Sequence, residues 1–288
     1  MTFTDLLAAF QLPFIMRGLL TMLMLAAAAS IIGLFVSFRD LEFVTDGLVH
    51  AVFPGLVIGY IIGGSTLLLP GALVAATIAV VLITLLTQRG KLGNDAAVAV
   101  ILTSAFSLGI VLVSRQQDYV SALNALLFGH LLTVTATQLI ALSCVALLSV
   151  LMILMTWRRQ IFRAHDVSGF RAAGYSVLAT DLILGVAIAF LIVAGVQALG
   201  NLLVTALLIV PTAAARQLTN RLWGTVLLAF LITAFASFVG IAFAIWSSFA
   251  LGVNTPAGAA VVLALIAIYG LTLLPSLARK LQSRKVAQ

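Results

Sequence analysis

Apolar residues fall in nine blocks along the chain, at 14–35, 39–62, 67–87, 96–113, 138–156, 177–195, 201–215, 224–246 and 256–274. Charged residues collect in the short breaks between them. Apolar runs of about 18 residues or more match the length a helix needs to cross a hydrocarbon layer about 30 Å thick. The pattern therefore predicts an all-α, polytopic bundle of about eight to nine transmembrane helices. The first block is too long for a signal-peptide core and has no small-residue cleavage site behind it, so it counts as a span. The stretch Tyr119–Thr137 is only moderately apolar and contains Gly129 and His130. It predicts a short outer helix or a re-entrant segment packed on protein, because irregular backbone cannot face lipid.

Composition narrows the class. Hydrophobic residues make up 63% of the 288 positions and charged residues 8%, with a mean hydropathy of +1.26. No hydrophilic block is long enough for a separate fold, which leaves one membrane domain over 1–288. The net charge of +7 sits in short loops and at the C-terminus. Placing the tail (Arg279, Lys280, Arg284, Lys285) in the cytoplasm puts Arg216 and Arg221, the 157–176 loop with Arg158, Arg159, Arg163 and Arg171, and Arg89 with Lys91 on that same side. Arg115 is the one exception. The positive-inside rule thus accounts for the basic residues, and lipid rather than nucleic acid is the expected neighbour. The single cysteine, Cys144, supports neither a disulfide framework nor a thiolate metal site.

The chemistry concentrates in the second block, Asp46-Gly-Leu-Val-His50-Ala-Val-Phe-Pro54-Gly55. If this helix begins near Arg39, Asp46 lies about 10 Å along it and His50 about 16 Å, close to the bilayer midplane. A carboxylate there costs at least about 2.5–3.5 kcal/mol and needs water or a partner. The i, i+4 spacing puts both groups on one face, and a carboxylate oxygen with an imidazole nitrogen suits Zn, Mn or Fe(II). Pro54 removes the partner of the His50 carbonyl and is expected to kink the helix. Gly55, Gly59 and Gly63 fall on the opposite face, where they would admit a neighbouring helix. From these residues alone three readings stand: an ion site, a structural ion pair, and a proton relay in a secondary carrier.

The same ten residues closely resemble the "D-A-L-S-H-A-V-L-P-G" signature of the zinc/manganese/iron ABC importer permeases, with Gly47 in place of Ala. The run from Gly200 through Pro211 to Arg216, G-N-L-L-V-T-A-L-L-I-V-P-T-A-A-A-R, resembles that family's "G-x-L-L-V-x-A-L-L-I-V-P-A-A-x-A-R". Leu127-Phe-Gly-His130-Leu-Leu-Thr-Val134 is similar to its "L-F-G-S-L-L-x-V". Asp166 to Gly174 keeps the spacing of its "F-D-P-x-x-A-x-x-x-G", departing at His165, Val167 and Phe170.

The resemblance implies a type II ABC importer permease in a bacterial-type cytoplasmic membrane, with the C-terminus cytoplasmic. It implies that Asp46 and His50 coordinate the transported metal, zinc or manganese and possibly iron, with no permanently bound cofactor. It implies that Asp166, Phe170, Arg171 and Gly174 belong to the loop that couples to the ATPase. It also implies a second permease copy, a cytoplasmic ATP-binding subunit and an extracytoplasmic metal-binding protein as partners. Pro54 and Pro211 are expected on the translocation path or at its hinges, and His130 as a structural or interfacial residue rather than an outer ligand. No G-x-x-x-x-G-K-[ST] loop occurs in the sequence, so ATP hydrolysis is expected from a separate subunit and the chain is not itself an enzyme. The alternatives are a siderophore- or cobalamin-type permease, an ion-coupled secondary carrier and, least supported, an intramembrane hydrolase.

Overall fold

The computed structural model describes residue 10, residues 12–89, 93–114, 129, 131–250, 252 and 255–286, and the side chains of all these except 89 and 275–286. His130, Lys91, Arg115 and most of the 119–137 segment therefore lie outside the described residues. So do the basic side chains of the C-terminal tail.

The helices are α1 (Pro13–Phe38), α2 (Glu42–Ala51), α3 (Phe53–Gly63), α4 (Leu68–Arg89), α5 (Asn94–Val113), α6 (Ala136–His165), α7 (Val167–Ala172), α8 (Val177–Leu199), α9 (Asn201–Leu218), α10 (Leu222–Ala250) and α11 (Ala257–Val286). Among the described residues, nine spans are long and apolar enough to cross a bilayer, with α2 and α3 counted together. α1 and α8 form the centre: 67% of the apolar window of each is buried, against 22% for α5 and α11 at the periphery. α1 packs on α6, α8, α9 and α10, and α8 packs on α4 and α6.

Two boundaries differ from the sequence pattern. The second span starts at Glu42 rather than Arg39, so Asp46 and His50 lie about 6 and 12 Å along the helix, not 10 and 16 Å. Arg39 to Leu41 instead form a tight turn, with Asp40 at φ 52°. The second difference concerns Trp157–Ser176, expected as a loop: α6 runs straight through 157–165 before the short α7. Apolar periodicity stops at Thr156, but Arg, Gln and His are compatible with helix. The helix starts at a full capping box between Thr135 and Gln138, and its last turn carries Arg163 and His165, whose charge suits a helix C-terminus.

At Val52, α2 gives way to α3 with the backbone still in the helical region (φ −70°, ψ −25°), and Pro54 occupies the first turn of α3, where its missing N–H and its ring are tolerated. The glycine face packs as expected: a Cβ on Gly55 would strike Ala75 and the Gly71 carbonyl, and one on Gly59 would strike the Leu67 carbonyl. α3 and α4 therefore touch backbone to backbone.

Candidate metal site between α2 and α9

Asp46 and His50 project from one side of α2 into a groove of about 260 Å³, whose other wall is Asn201, Leu202, Thr205, Ala206, Ile209 and Val210 of α9. Asp46 Oδ1 stands 4.0 Å from His50 Nε2, and the side chains are 41% and 28% exposed. This is too long for a hydrogen bond; the two groups face the same space without being consumed by each other. The His50 ring is held edge-on by Phe106 at 5.3 Å. Its Nδ1 is buried with no hydrogen-bond partner among the described residues. Packing, and no fixed acceptor, therefore orients the imidazole. No cluster of three or more His, Cys, Asp or Glu side chains able to hold a metal occurs among the described residues; Asp46 and His50 face the groove as a pair.

Gly47 sits behind the pair, where an added Cβ would strike Val98 Cγ1. Ala at this position would require Val98 to move, so α2 and α5 are in close contact here. Pro54 lies outside the groove. It borders a separate apolar furrow between α3, α4 and α5 together with Gly55, Ile58 and Gly71. Pro211 is buried inside an otherwise continuous α9, one residue beyond the groove wall. The backbone of α9 comes very close to α1 here, for a Cβ on Gly33 would lie 2.6 Å from the Leu208 carbonyl and 2.7 Å from Thr212 Oγ1.

The motif residues behind α9 have structural work. Gly200 turns the chain between α8 and α9 at φ 79°, and Gly129, at φ 69°, presses against that turn so tightly that a Cβ would strike the Leu199 carbonyl carbon. At the other end of α9, Arg216 Nη1 donates to the Ser37 carbonyl at 2.7 Å and to Ser37 Oγ at 2.6 Å. Its guanidinium lies 4.9 Å over the Phe38 ring. A cation thus closes the C-terminus of α1, where the helix dipole favours it.

Beneath α2 lies a charged network that the hydropathy pattern does not reveal. Asp181, in the second turn of α8, accepts from Arg39 Nη1 at 2.8 Å, Arg163 Nη2 at 3.0 Å and Gln88 Nε2 at 3.1 Å. Arg39 Nη2 also donates to Gln160 Oε1 at 2.7 Å. Arg39 is 6% exposed at the side chain. Burial pulls its guanidinium pKa down to about 10, against the opposing attraction of Asp181, so it stays charged at neutral pH. The cluster ties the α1–α2 turn to α4, α6 and α8. It borders a polar cavity of about 550 Å³ that Arg171 also lines.

The residues expected in the coupling loop separate into two roles. Asp166 caps α7: its Oδ1 accepts from Gly169 N–H and Ser168 Oγ, both at 2.8 Å. The first of these bonds, helped by the second, holds the exposed carboxyl below its ordinary range. Phe170 is fully buried, stacked on Tyr175 at 5.0 Å and edge-on to Phe162 at 5.4 Å. It anchors α7 to the end of α6 and presents nothing outward. Arg171 and Gly174 are exposed, with Gly174 at φ 80° in the turn that follows. Phe170→Ala is expected to remove about 3–5 kcal/mol of local packing and to release α7 from α6. Faster amide hydrogen exchange across 166–175, with α8 unchanged, is the measurement; unaltered exchange there would refute the anchoring role.

Comparison with known proteins agrees with this architecture. The chain is 31% identical over 232 residues to the manganese transport system membrane protein MntC of Halalkalibacterium halodurans, covering 81% of this chain and 79% of that one. It is 27% identical over 207 residues to the zinc transport system membrane protein TroC of Treponema pallidum, covering 69% and 70%. Among solved structures, PsaBC from Streptococcus pneumoniae in complex with Fab superposes with a TM-score of 0.81 at 24% identity, over 95% of this chain and 96% of that one, which shows a shared fold. The model of the ABC 3 transport family matches residues 11–275, and the chain, a multi-pass membrane protein with α9 and α2 set around the groove that Asp46 and His50 face, belongs to that family.

Proposed function

We propose that the chain is the membrane permease of an ATP-driven importer for a divalent transition metal, manganese or zinc, with iron a chemically compatible third cargo. The observation that carries this reading is the Asp46–His50 pair. An unneutralised carboxylate and an imidazole share one groove inside a spanning helix, while the acidic group of α8, Asp181, is bound to arginine. The named relatives transport manganese or zinc, in line with that donor set.

A carboxylate 41% exposed on the side of a spanning helix cannot face hydrocarbon. A second copy of the chain, apposed across α2 and α9, would cover the groove and bring two more such ligands to a common path. Residues 1–288 act as one permease domain in this assembly. The tail, α7 and the arginine network lie on the cytoplasmic side, where Val167, Ser168 and Arg171, exposed around the anchored Phe170, offer the docking face for an ATP-binding subunit. A metal-binding protein delivers the ion from the other side. The unfixed His50 Nδ1 suits transit, since a ligand without a supporting acceptor binds a metal 10–100-fold more weakly, roughly, and a conducting site must release.

The decisive measurement is uptake of radioactive manganese or zinc into proteoliposomes holding the permease, its ATPase and its binding protein. Uptake is expected only with ATP and all three components. Uptake driven by a proton or sodium gradient without the ATPase would establish a secondary carrier instead. Failure of simple metal salts to compete would point to a chelate permease.

A further inference from the structure

The α9 wall of the groove is not uniformly apolar. Asn201 and Thr205, four residues apart, fall on the face that meets Asp46 and His50. The Thr205 hydroxyl is occupied, donating to the Asn201 carbonyl at 3.2 Å. The Asn201 amide oxygen is not: the residue is 6% exposed, and its Oδ1 is buried without a partner among the described residues. A buried amide oxygen is costly unless a donor or a cation meets it. An amide is also expensive to place at the start of an apolar helix when Val or Leu would pack. Here the oxygen belongs to a residue that shares a groove with a carboxylate and an imidazole, and lone pairs from three such groups are the makings of a cation site.

We infer that Asn201 is a third, neutral oxygen donor to the ion in transit and biases this permease toward manganese over zinc. The inference rests on the reading of Asp46 and His50 as the metal-facing pair. Manganese takes carboxylate, carbonyl and water oxygens in a six-fold shell, whereas zinc is satisfied by four ligands, with nitrogen and sulfur favoured. An amide oxygen added to one carboxylate and one imidazole shifts the set toward oxygen. Being uncharged, it does so without holding the ion as a second carboxylate would.

The test is a ratio. Asn201→Leu keeps the volume and removes the amide. In proteoliposomes with ATPase and binding protein, manganese uptake is expected to fall roughly tenfold, the scale of losing one supporting group at a metal site, while zinc uptake falls much less. Direct titration of the detergent-solubilised permease–ATPase complex with manganese alone, following the free-ion signal by electron paramagnetic resonance, should show the same loss. An unchanged manganese-to-zinc ratio, including an equal fall in both, overturns the inference. If Asn201→Leu does not assemble, Asn201→Asp serves: it keeps the oxygen and should tighten manganese binding in the titration, and unchanged binding overturns the inference equally. Asp46→Ala run in parallel separates the two levels. Full uptake in Asp46→Ala removes the underlying site, whereas an inactive Asp46→Ala beside an unaltered ratio in Asn201→Leu removes only the role of Asn201.

Discussion

Asp46→Ala and His50→Ala each abolish metal uptake while leaving the permease assembled with its ATPase: that is the largest functional effect expected from this structure. A divalent ion leaving water for a groove walled by Leu202, Ala206, Ile209 and Val210 loses hydration that only nearby charge and lone pairs replace. Two unit charges about 4 Å apart attract by about 4 kcal/mol at the effective dielectric of a protein surface, and the doubly charged ion feels more. Removing the carboxylate therefore costs at least two to three orders of magnitude in passage, at tenfold per 1.4 kcal/mol or so. Asp46→Asn, which keeps the shape and loses the charge, should be nearly as inactive.

Assembly should survive because neither side chain holds anything else in place. Their mutual distance is 4.0 Å, and α2 is fixed from behind by Val49, Leu48 and Val98 in the core. Co-purification with the ATPase and the thermal midpoint are the controls. Uptake at the wild-type rate in both variants would end the assignment of these residues to the path.

The largest effect on stability is expected at Asp181. Asp181→Asn leaves Arg39 and Arg163 facing each other without an anion, and breaking a buried charged cluster by removing one partner typically costs about 3–5 kcal/mol. A fall in the thermal midpoint of roughly ten degrees would follow. Because Arg39 is buried by protein and bonded also to Gln160, it cannot escape to water without opening the α1–α2 turn. The diagnostic is rescue. Arg39→Met and Arg163→Met combined with Asp181→Leu replace the whole cluster by apolar volume and should recover much of the loss, since a well-packed hydrophobic substitute for buried ions is often neutral or better. A single Asp181→Asn variant as stable as the parent would show that the cluster carries no such weight.

The nine spans were legible from hydropathy because lipid demands long apolar runs whatever the tertiary fold. The Asp46–His50 pair was legible for the converse reason: a carboxylate and an imidazole one turn apart stand out against an apolar background. The glycine stripe and the helix boundary near Pro54 were legible through local sterics. What escaped depended on partners distant in sequence. Arg163 looked like one more basic loop residue until α6 continued past Thr156 and delivered it to Asp181. Asp181 lies inside a span with no partner near it in sequence, and its neutralisation by two arginines is visible only in three dimensions. Phe170 looked available for docking because it sits in a polar stretch, whereas Phe162 and Tyr175 enclose it. Asn201 is the subtlest case. Its signal was a lone amide four residues from Thr205 at the head of an apolar helix, and nothing in the sequence said that α9 would meet α2 there.

The junction at Val52 sets the kinematics of the Asp46–His50 pair. α3 is clamped to α4 by glycine contacts, while α2 is a short rod joined to it through Val52, whose backbone stays in the helical region. With Val52 as fulcrum, Asp46 lies six residues out and His50 two, or about 9 and 3 Å at 1.5 Å per residue. Any swing of the rod displaces the carboxylate three times as far as the ring. Their separation is kept, because both ride the same rod, so a swing carries the carboxylate along the α9 wall while the ring turns nearly in place.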